Sequence, residues 1–399
     1  MEQGMKDQIL HAFEEGHGIF RLAPTFVTRT FNLPGYRLKL HPDDYYAYGM
    51  KAGAVMERWF SSVNRTRNNN LDREDEGLSY IWTERGERML LLDAVELLGE
   101  RLIGHELQEK YGTWPIFAKF FDYQNPLYFH FHPGDEVAKR VGCSAKPECY
   151  YFPPQLNNYV GKRPSTYFGF NSGVTKEEIR KRLEEFGDHD TKITTLSRAF
   201  DLEVGTGWYV PAGVLHAPGS LLTYEPQWST DLNCVFENVV CGEVYGKNFL
   251  EDIVPEDVEN KVDYIMDAVD WEKNFDPDFK EHYFRAPMQI PSDNPDLIEK
   301  WICYGNEYIT AKETTLLPGK KAVLKDRAAY GCVVIQGFGS FGVFDTEAVN
   351  MMHVGDVTRD EFFVSKDAAT AGVEIVNNSK TEPMVILQHF GPDNAVYHV

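Results

Sequence analysis

The segment NPLYFHFHPGDEVAKRVGCSAKPECYYF, residues 125–152, carries the strongest structural signal in this chain. It places His130 and His132 two positions apart in a run of apolar and aromatic residues that is typical of a β-strand. Because successive side chains of a strand point to opposite faces, both imidazoles are expected on the same face. Glu148 follows where the next antiparallel strand would cross that face, so a hairpin would bring the three side chains together.

A second segment, GTGWYVPAGVLHA at residues 205–217, has glycines and a proline at the spacing of the second sequence motif of cupins, which are β-jelly-roll proteins. Gly205, Pro211 and Gly213 set a turn that directs His216 back toward the mouth of the barrel.

Together the two segments predict one divalent metal ion bound by His130, His132, Glu148 and His216. Zinc is the expected ion, and manganese, iron and nickel also accept imidazole and carboxylate ligands. A His-x-His pair is often only strand polarity, and a lone histidine beside a Pro-Gly turn is often a hydrogen-bonded structural residue. The occurrence of both motifs in this order favours the metal site over these structural explanations.

Strand patterns dominate the chain, so we expect a mainly β fold: a double cupin, two β-jelly rolls, with helical insertions. Residues 1–250 would form an N-terminal metal-binding cupin, residues 251–298 a helical connection, and residues 299–399 a small C-terminal cupin without metal. In the first domain, the patterns predict helices over about residues 92–110 and 175–186, the second behind a Thr-x-x-Glu capping box.

Three further histidines are assigned no metal. His41 precedes two aspartates in LHPDDYYAYG, where Pro42 and Asp43 favour a turn that opens a short helix. In the second domain, His353 and His389 have no His-x-His partner, which favours a metal-free structural domain.

The chain has 61 acidic and 40 basic residues and a net charge of -21, which repels a phosphate backbone and argues against nucleic acid as a partner. No stretch reaches the roughly 18 apolar residues of a membrane span. The first residues carry no export signal, so a cytoplasmic location is expected. The six cysteines show no C-x-x-C pairing and are expected to be reduced thiols. The sequence leaves the oligomeric state open.

Over most of its length the chain resembles the type I mannose-6-phosphate isomerases, a family of cupin enzymes. The resemblance rests on MERWF at residues 56–60, FAKFFD at 117–122, HFHPGDEVA at 130–138, KPE at 146–148, and WYVPAGVLHA followed by LLTYEPQWSTD at 208–231. It implies a metal-dependent interconversion of an aldose and a ketose through an enediol, with a small sugar or sugar phosphate as the substrate.

Carried over position by position, the resemblance implies the same metal ligands: His130 in place of the family's usual glutamine, His132, Glu148 and His216. It also implies Lys146 and Glu225 as the catalytic residues, and both have side chains capable of proton transfer.

Two positions depart from the family. Tyr128 stands where the family has a serine, and Val235 stands where it has an arginine suited to gripping a phosphate. These departures favour an uncharged sugar as the substrate. Lys162, Arg163 and Arg198 could supply a replacement cation, although solvated surface charges are the better explanation for them.

Two other functions stay open at this point. Three histidines and one carboxylate also suit an iron dioxygenase, which needs free coordination positions for oxygen. A sugar-binding cupin that keeps the metal without catalysis is compatible with the loss of the family's arginine.

Overall fold

The computed structural model describes residues 1–68, 73–158 and 163–394. In chain order, strands β1 to β16 are Ile19–Ala23, Thr25–Arg29, Ala54–Phe60, Tyr80–Trp82, Arg88–Leu90, Ile116–Phe121, His130–Phe131, Glu148–Tyr151, Ser165–Phe170, Ser197–Asp201, Gly207–Val210, His216–Ala217, Thr223–Trp228, Cys234–Val235, Val239–Val240 and Glu243–Val244. Strands β17 to β27 are Phe284–Arg285, Met288–Ile290, Leu297–Cys303, Thr310–Leu316, Lys321–Leu324, Tyr330–Gln336, Phe338–Phe341, Phe344–Glu347, Glu361–Val364, Val373–Asn377 and Met384–Phe390.

Helices are fewer than strands in the described part of the chain. In chain order, α1 to α11 are Gln3–Glu15, Leu91–Leu98, Glu100–Ile103, His105–Tyr111, Asp135–Arg140, Lys176–Glu184, Lys247–Leu250, Lys261–Ala268, Trp271–Asn274, Phe279–Tyr283 and Lys366–Ala371. Turns of 3-10 helix lie at Pro42–Asp44, Met50–Ala52, Ile193–Leu196 and Pro392–Asn394. No helix in the described part of the chain has both the length and the apolar character needed to span a bilayer.

Two antiparallel sheets face each other in the first sandwich. One has seven strands in the order β17-β11-β8-β13-β6-β3-β2, and the other has five in the order β10-β9-β12-β7-β14. Phe168 and Val214 of the five-stranded side pack against Trp208 and Val210 of the seven-stranded side. The mainly β fold expected from the sequence is confirmed. The hairpin expected between the strands of His130 and Glu148 is wrong, because β7 belongs to the five-stranded sheet and β8 to the seven-stranded sheet.

A second sandwich consists of a nine-stranded sheet, in the order β18-β19-β20-β27-β22-β25-β1-β4-β5, and a four-stranded sheet, in the order β21-β26-β23-β24. Phe341 and Phe362 stack between them with ring centroids 4.6 Å apart. Strand β1 from near the start of the chain pairs with β25, with Phe20 opposite Phe363. The second sandwich therefore contains strands from both ends of the chain.

The seven-stranded sheet presents one face to the first sandwich's interior and the other to the nine-stranded sheet. Side-chain alternation on β8 sends Tyr151 toward that neighbour, where its hydroxyl donates to Glu313 Oε2 at 2.6 Å. On β13, the Tyr224 hydroxyl lies 2.8 Å from His389 Nδ1. Polar contacts thus join the two sandwiches across a mainly apolar interface.

The expectation that all six cysteines are reduced thiols is wrong for Cys149 and Cys303, which form a disulfide between β8 and β19. The two residues are 154 positions apart in the sequence, so only the docking of the two sandwiches brings them together. No local C-x-x-C motif in the sequence indicates that these two cysteines pair.

The predicted helix over residues 92–110 is present as three short helices, α2 to α4. Gly99 and Gly104 separate them with φ of 47° and 85°, conformations that favour glycine and interrupt a helix. The predicted helix over residues 175–186 is confirmed as α6, where the Thr175 side chain accepts from Glu178 N–H.

Candidate metal centre

Three histidines from the five-stranded side converge in the interior of the first sandwich. His130 on β7 pairs directly with His216 on β12, and His132 follows the end of β7. The ring centroids are 4.9 Å apart for His130 and His132, 4.2 Å for His130 and His216, and 5.3 Å for His132 and His216. The His-x-His pair therefore has both imidazoles on one face, and all three side chains are buried.

Backbone carbonyls fix the orientation of all three rings. Nδ1 lies 2.9 Å from the Tyr128 carbonyl in His130, 2.7 Å from the Leu232 carbonyl in His132, and 2.8 Å from the Val214 carbonyl in His216. A carbonyl only accepts, so each Nδ1 carries a proton, and Nε2 is the nitrogen left to hold a lone pair in the neutral tautomer. This is the tautomer in which Nε2 can bind a metal ion.

Glu148 on β8 reaches this group from the opposite sheet. Its Oε1 lies 3.1 Å from His216 Nε2 and its Oε2 lies 3.3 Å from His132 Nε2. The Tyr150 hydroxyl donates to Glu148 Oε1 and orients the carboxylate.

The four side chains fit a divalent cation. Carboxylate oxygens face nitrogen lone pairs, and such atoms repel each other unless a positive charge lies between them. His216 Nε2 is buried without a hydrogen-bond partner, as expected of a nitrogen that binds a metal ion. The described residues therefore include a buried group of three histidines suited to hold a metal ion, with Glu148 beside it.

Electrostatics keep His130 and His132 neutral. Burial, and then the charge of Lys146, lowers the pKa of His132 to about 4. Burial and the neighbouring His216 lower the pKa of His130 well below its ordinary value. Both rings are thus neutral at neutral pH, with a single proton on Nδ1, the state in which histidine binds metals.

Glu148 stays ionised in the same interior. Burial alone would raise its pKa, but its neighbours, with the positive charge of Lys146 first among them, bring the pKa well below its ordinary value. Lys146 Nζ lies 2.9 Å from Glu148 Oε2 and 3.2 Å from His132 Nε2. The lysine therefore stands at the edge of the candidate metal centre.

Glu225 on β13 completes the polar interior. Its Oε1 lies 3.2 Å from Lys119 Nζ and 3.6 Å from Lys146 Nζ. Burial, and then the nearby Glu148 carboxylate, raises the pKa of Glu225 to about 8. The structure thus brings together all six residues singled out from the sequence: His130, His132, Lys146, Glu148, His216 and Glu225.

Lys119 was not predicted as a site residue from the sequence, although its position in an apolar strand could have indicated one. It stands in the middle of FAKFFD, where Phe117 and Phe121 share its face of β6. A buried lysine on an apolar strand needs a carboxylate partner, and Glu225 lies directly opposite it in the strand register.

Val235 and Tyr128 line an apolar part of the same interior. Val235 on β14 is paired with His130 across the strands and packs against Tyr128 and Val240. Arg163 is exposed beside Asp201, and Arg198 donates to the backbone carbonyls of Phe168 and Asn274. Neither arginine reaches the centre.

The third candidate for a replacement cation, Lys162, lies outside the described residues.

A cleft of about 190 Å³ opens beside the centre. Tyr128 forms part of its wall, and the Tyr128 ring also packs against the His130 ring with centroids 4.9 Å apart. Asp231, another wall residue, directly precedes Leu232, whose carbonyl holds His132. The cleft therefore shares its wall with residues that contact or directly adjoin the groups around the histidines.

The charges along this cleft are paired. Arg29 donates to the two carboxylate oxygens of Glu57 at 2.9 and 3.1 Å and lies 3.5 Å from Asp231 Oδ2. Arg67 donates to Asp252 Oδ1 at 3.0 Å. Each arginine of the cleft wall is thus already neutralised by a carboxylate.

No protein-family model matches this chain, and neither does any curated protein sequence. Solved structures do match. Mannose 6-phosphate isomerase from Bacillus subtilis is 17% identical, with 93% of this chain and 99% of that chain covered and a TM-score of 0.60. Two single-residue variants of phosphomannose isomerase from Salmonella typhimurium are 12% and 11% identical, cover 94% of this chain and 100% of theirs, and have TM-scores of 0.61 and 0.62. The resemblance seen in the sequence is confirmed at the level of the fold, which this chain shares with the phosphomannose isomerases.

Proposed function

We propose that this protein is a metal-dependent aldose-ketose isomerase that acts on an uncharged sugar. One divalent ion, zinc in the first instance, would be held by His130, His132, Glu148 and His216. The observation that carries the proposal is the position of Glu225 and Lys146, because both reach the interior directly beside the ligand set. A buried acid-base pair next to a metal centre is what enolisation requires.

The residues of the chain divide the reaction between them. Glu225 would take the proton from the carbon next to the sugar carbonyl and return it to the neighbouring carbon, which passes the substrate through an enediol. Its pKa, raised to about 8 by burial and Glu148, lies near neutrality, where a general base works efficiently. Lys146 would donate hydrogen bonds to a sugar hydroxyl and hold Glu225 in place.

When bound, a divalent ion would supply Lewis-acid stabilisation of the negative charge that develops on the sugar oxygen. Nitrogen and oxygen ligands of this kind suit zinc, and the same set accepts manganese, iron and nickel.

The charge balance of the cleft supports an uncharged substrate. A phosphate is usually held by arginine or lysine charges that are not already balanced, and both arginines of the cleft wall are paired with carboxylates. Val235 adds an apolar side chain where the resembling family has its arginine. A neutral aldose can instead bind through hydroxyl groups to side chains such as Asn233 in the same wall.

The test uses proton NMR in deuterium oxide with D-mannose and D-mannose 6-phosphate as alternative substrates, on protein loaded with zinc. We expect the free sugar to interconvert with its ketose, with deuterium entering at the carbon that exchanges its proton. Glu225→Gln should lower the rate at least about 100-fold and leave the metal content unchanged.

A matched control is Glu313→Gln, which removes another buried carboxylate, on the far side of β8. It should retain the activity. Full activity of Glu225→Gln would contradict the role of Glu225 as the base. Saturable sugar binding without turnover or deuterium uptake would replace the isomerase with a sugar-binding protein.

A further inference from the structure

A second group of potential metal ligands lies at the surface, far along the sequence from the buried histidines. His41 precedes the 3-10 turn Pro42–Asp44, and Asp44 ends that turn. His353 follows β24 and belongs to the second sandwich. We call His41, Asp44 and His353 the surface triad.

Backbone pairing brings the three residues together. His41 N–H donates to the Met352 carbonyl at 2.8 Å, and Met352 N–H donates to the Lys39 carbonyl at 2.9 Å. These two bonds join the loop before β3 to the turn before β25, so the position of His353 relative to His41 is set by the main chain.

The side chains of the surface triad are arranged as a ligand set. The two imidazole rings stack with centroids 4.4 Å apart and planes 26° apart. His353 Nδ1 donates to Asp44 Oδ2 at 2.9 Å, so one proton lies where a cation bound by both atoms would lie. One ligand atom from each residue lies within 4.8 Å of those of the other two, so small side-chain rotations would close the set around one ion.

Packing does not account for this arrangement. The side chains are 31%, 20% and 56% exposed for His41, Asp44 and His353, so water and ions reach them. Asp44 is held in place by Val354 N–H, which donates to Oδ2 at 2.8 Å. A carboxylate fixed by the main chain beside two accessible imidazoles is pre-organised for a cation.

The charge around the surface triad has the sign that a cation requires. Asp43 lies next to His41 and is exposed, and Asp356 accepts from His353 N–H at 2.7 Å. Arg88, which donates to the Gly355 carbonyl, adds one positive charge to the same turn. Three carboxylates against one guanidinium leave a local excess of negative charge.

We propose that the surface triad binds a divalent ion of the zinc, nickel or copper type, with water in the remaining coordination positions. Two imidazole nitrogens and one carboxylate oxygen are ligands for these ions, whereas calcium and magnesium prefer oxygen alone. The ion would replace the proton that His353 now shares with Asp44. It would tie the loop before β3 to the second sandwich and raise the stability of that junction.

The test counts zinc equivalents. Protein is stripped with a chelator, equilibrated by dialysis against a low micromolar concentration of zinc chloride, and analysed by plasma mass spectrometry. We expect His353→Gln and His41→Gln each to bind one equivalent less than the wild type. His105→Gln is the matched control, because His105 is also exposed and lies 3.5 Å from each of two carboxylates, Glu100 and Glu109, but has no second imidazole.

The same count in a His216→Ala background separates the surface triad from the buried centre. We expect zinc to raise the melting temperature of His216→Ala and to have no such effect on His216→Ala/His353→Gln. Equal zinc contents in wild type and His353→Gln would overturn the proposal, as would a loss of the same equivalent in His105→Gln. Because neither readout involves turnover, the result is independent of the isomerase proposed above.

Discussion

At the scale of single residues, two ammonium groups share one buried carboxyl group. Lys119 and Lys146 both approach Glu225 Oε1, while the carboxylate of Glu148 opposes them. Burial and Glu148 raise the pKa of Glu225, and the two lysines limit the rise to about 8. Each lysine therefore influences the pH at which Glu225 can accept a proton, whether or not it contacts the proposed substrate.

Replacing Lys119 with methionine should shift the pH profile of the proposed isomerase activity. Loss of the positive charge 3.2 Å from Glu225 lets its pKa rise further, so a base that must be unprotonated becomes active only at higher pH. We expect the acidic limb of kcat/KM to move upward by about one pH unit. The measurement is a pH profile on metal-loaded protein.

Lys119→Arg keeps the charge and should leave the acidic limb in place. A lower kcat with an unmoved acidic limb in Lys119→Met would assign Lys119 a purely structural role.

The sequence is most informative about residues whose spacing is local. His130 and His132 could be placed on one face because two positions separate them on a strand, and Gly213 and His216 belong to one short motif. Lys119 escaped notice because its importance depends on Glu225, which only strand pairing brings opposite it. Long-range register is the information that a single sequence lacks.

At the scale of elements, helix ends were predictable where side chains mark them. Thr175 caps α6 by accepting from Glu178 N–H, as the Thr-x-x-Glu pattern indicates. The helix ends within residues 92–110 were harder to predict. The apolar spacing continues across Gly99 and Gly104, but the positive φ angles of these glycines break the helix. Hydrophobic periodicity indicates which face of a helix is buried, but it does not show where the helix axis changes direction.

Thr175→Ala should destabilise α6 by about 1 kcal/mol, the usual value of a lost N-cap. The helix would then open more often, and its amide hydrogens would exchange roughly fivefold faster. Hydrogen exchange followed by mass spectrometry on the peptide covering Lys176–Glu184 measures this. Thr381→Ala, which alters an exposed threonine outside any helix, should leave that peptide unchanged, and equal exchange in all three proteins would contradict the capping role.

At the scale of the whole molecule, the two sandwiches are joined by the disulfide of Cys149 and Cys303 and by the surface triad, neither of which the sequence predicted. Both join residues that are distant in the sequence. Such pairs depend on how two folded units dock, and no local pattern encodes that geometry.

The disulfide is tested by counting thiols in denaturant. We expect four reactive thiols without reductant and six after reduction, because Cys143, Cys234, Cys241 and Cys332 are free. Cys149→Ser should give five in either condition, since Cys303 loses its partner. Six thiols in unreduced wild type would contradict the disulfide. Removing the disulfide should lower the free energy of unfolding by about 2–4 kcal/mol.

A buried histidine at the same interface makes the docking sensitive to acid. His389 on β27 is fully buried, and its Nδ1 bonds to the Tyr224 hydroxyl of the seven-stranded sheet. Gly331 leaves room for the ring, since a Cβ there would lie 2.3 Å from His389 Nε2. Burial lowers the pKa of His389 to about 3, so the folded protein holds this ring neutral at pH values where the unfolded chain protonates it.

The lower pKa of His389 in the folded protein makes the free energy of unfolding depend on pH. Above the unfolded pKa of about 6.5 neither state binds a proton, and as the pH falls toward 3 only the unfolded chain gains one. His389 should therefore remove about 2 kcal/mol of stability between pH 7.5 and 5. His389→Gln stays neutral throughout, so its urea-unfolding free energy, measured without metal at both pH values, should fall by about 2 kcal/mol less than that of the wild type. His130 and His132 contribute equally to both proteins and cancel, and equal losses in the two would mean that His389 is not kept neutral by burial.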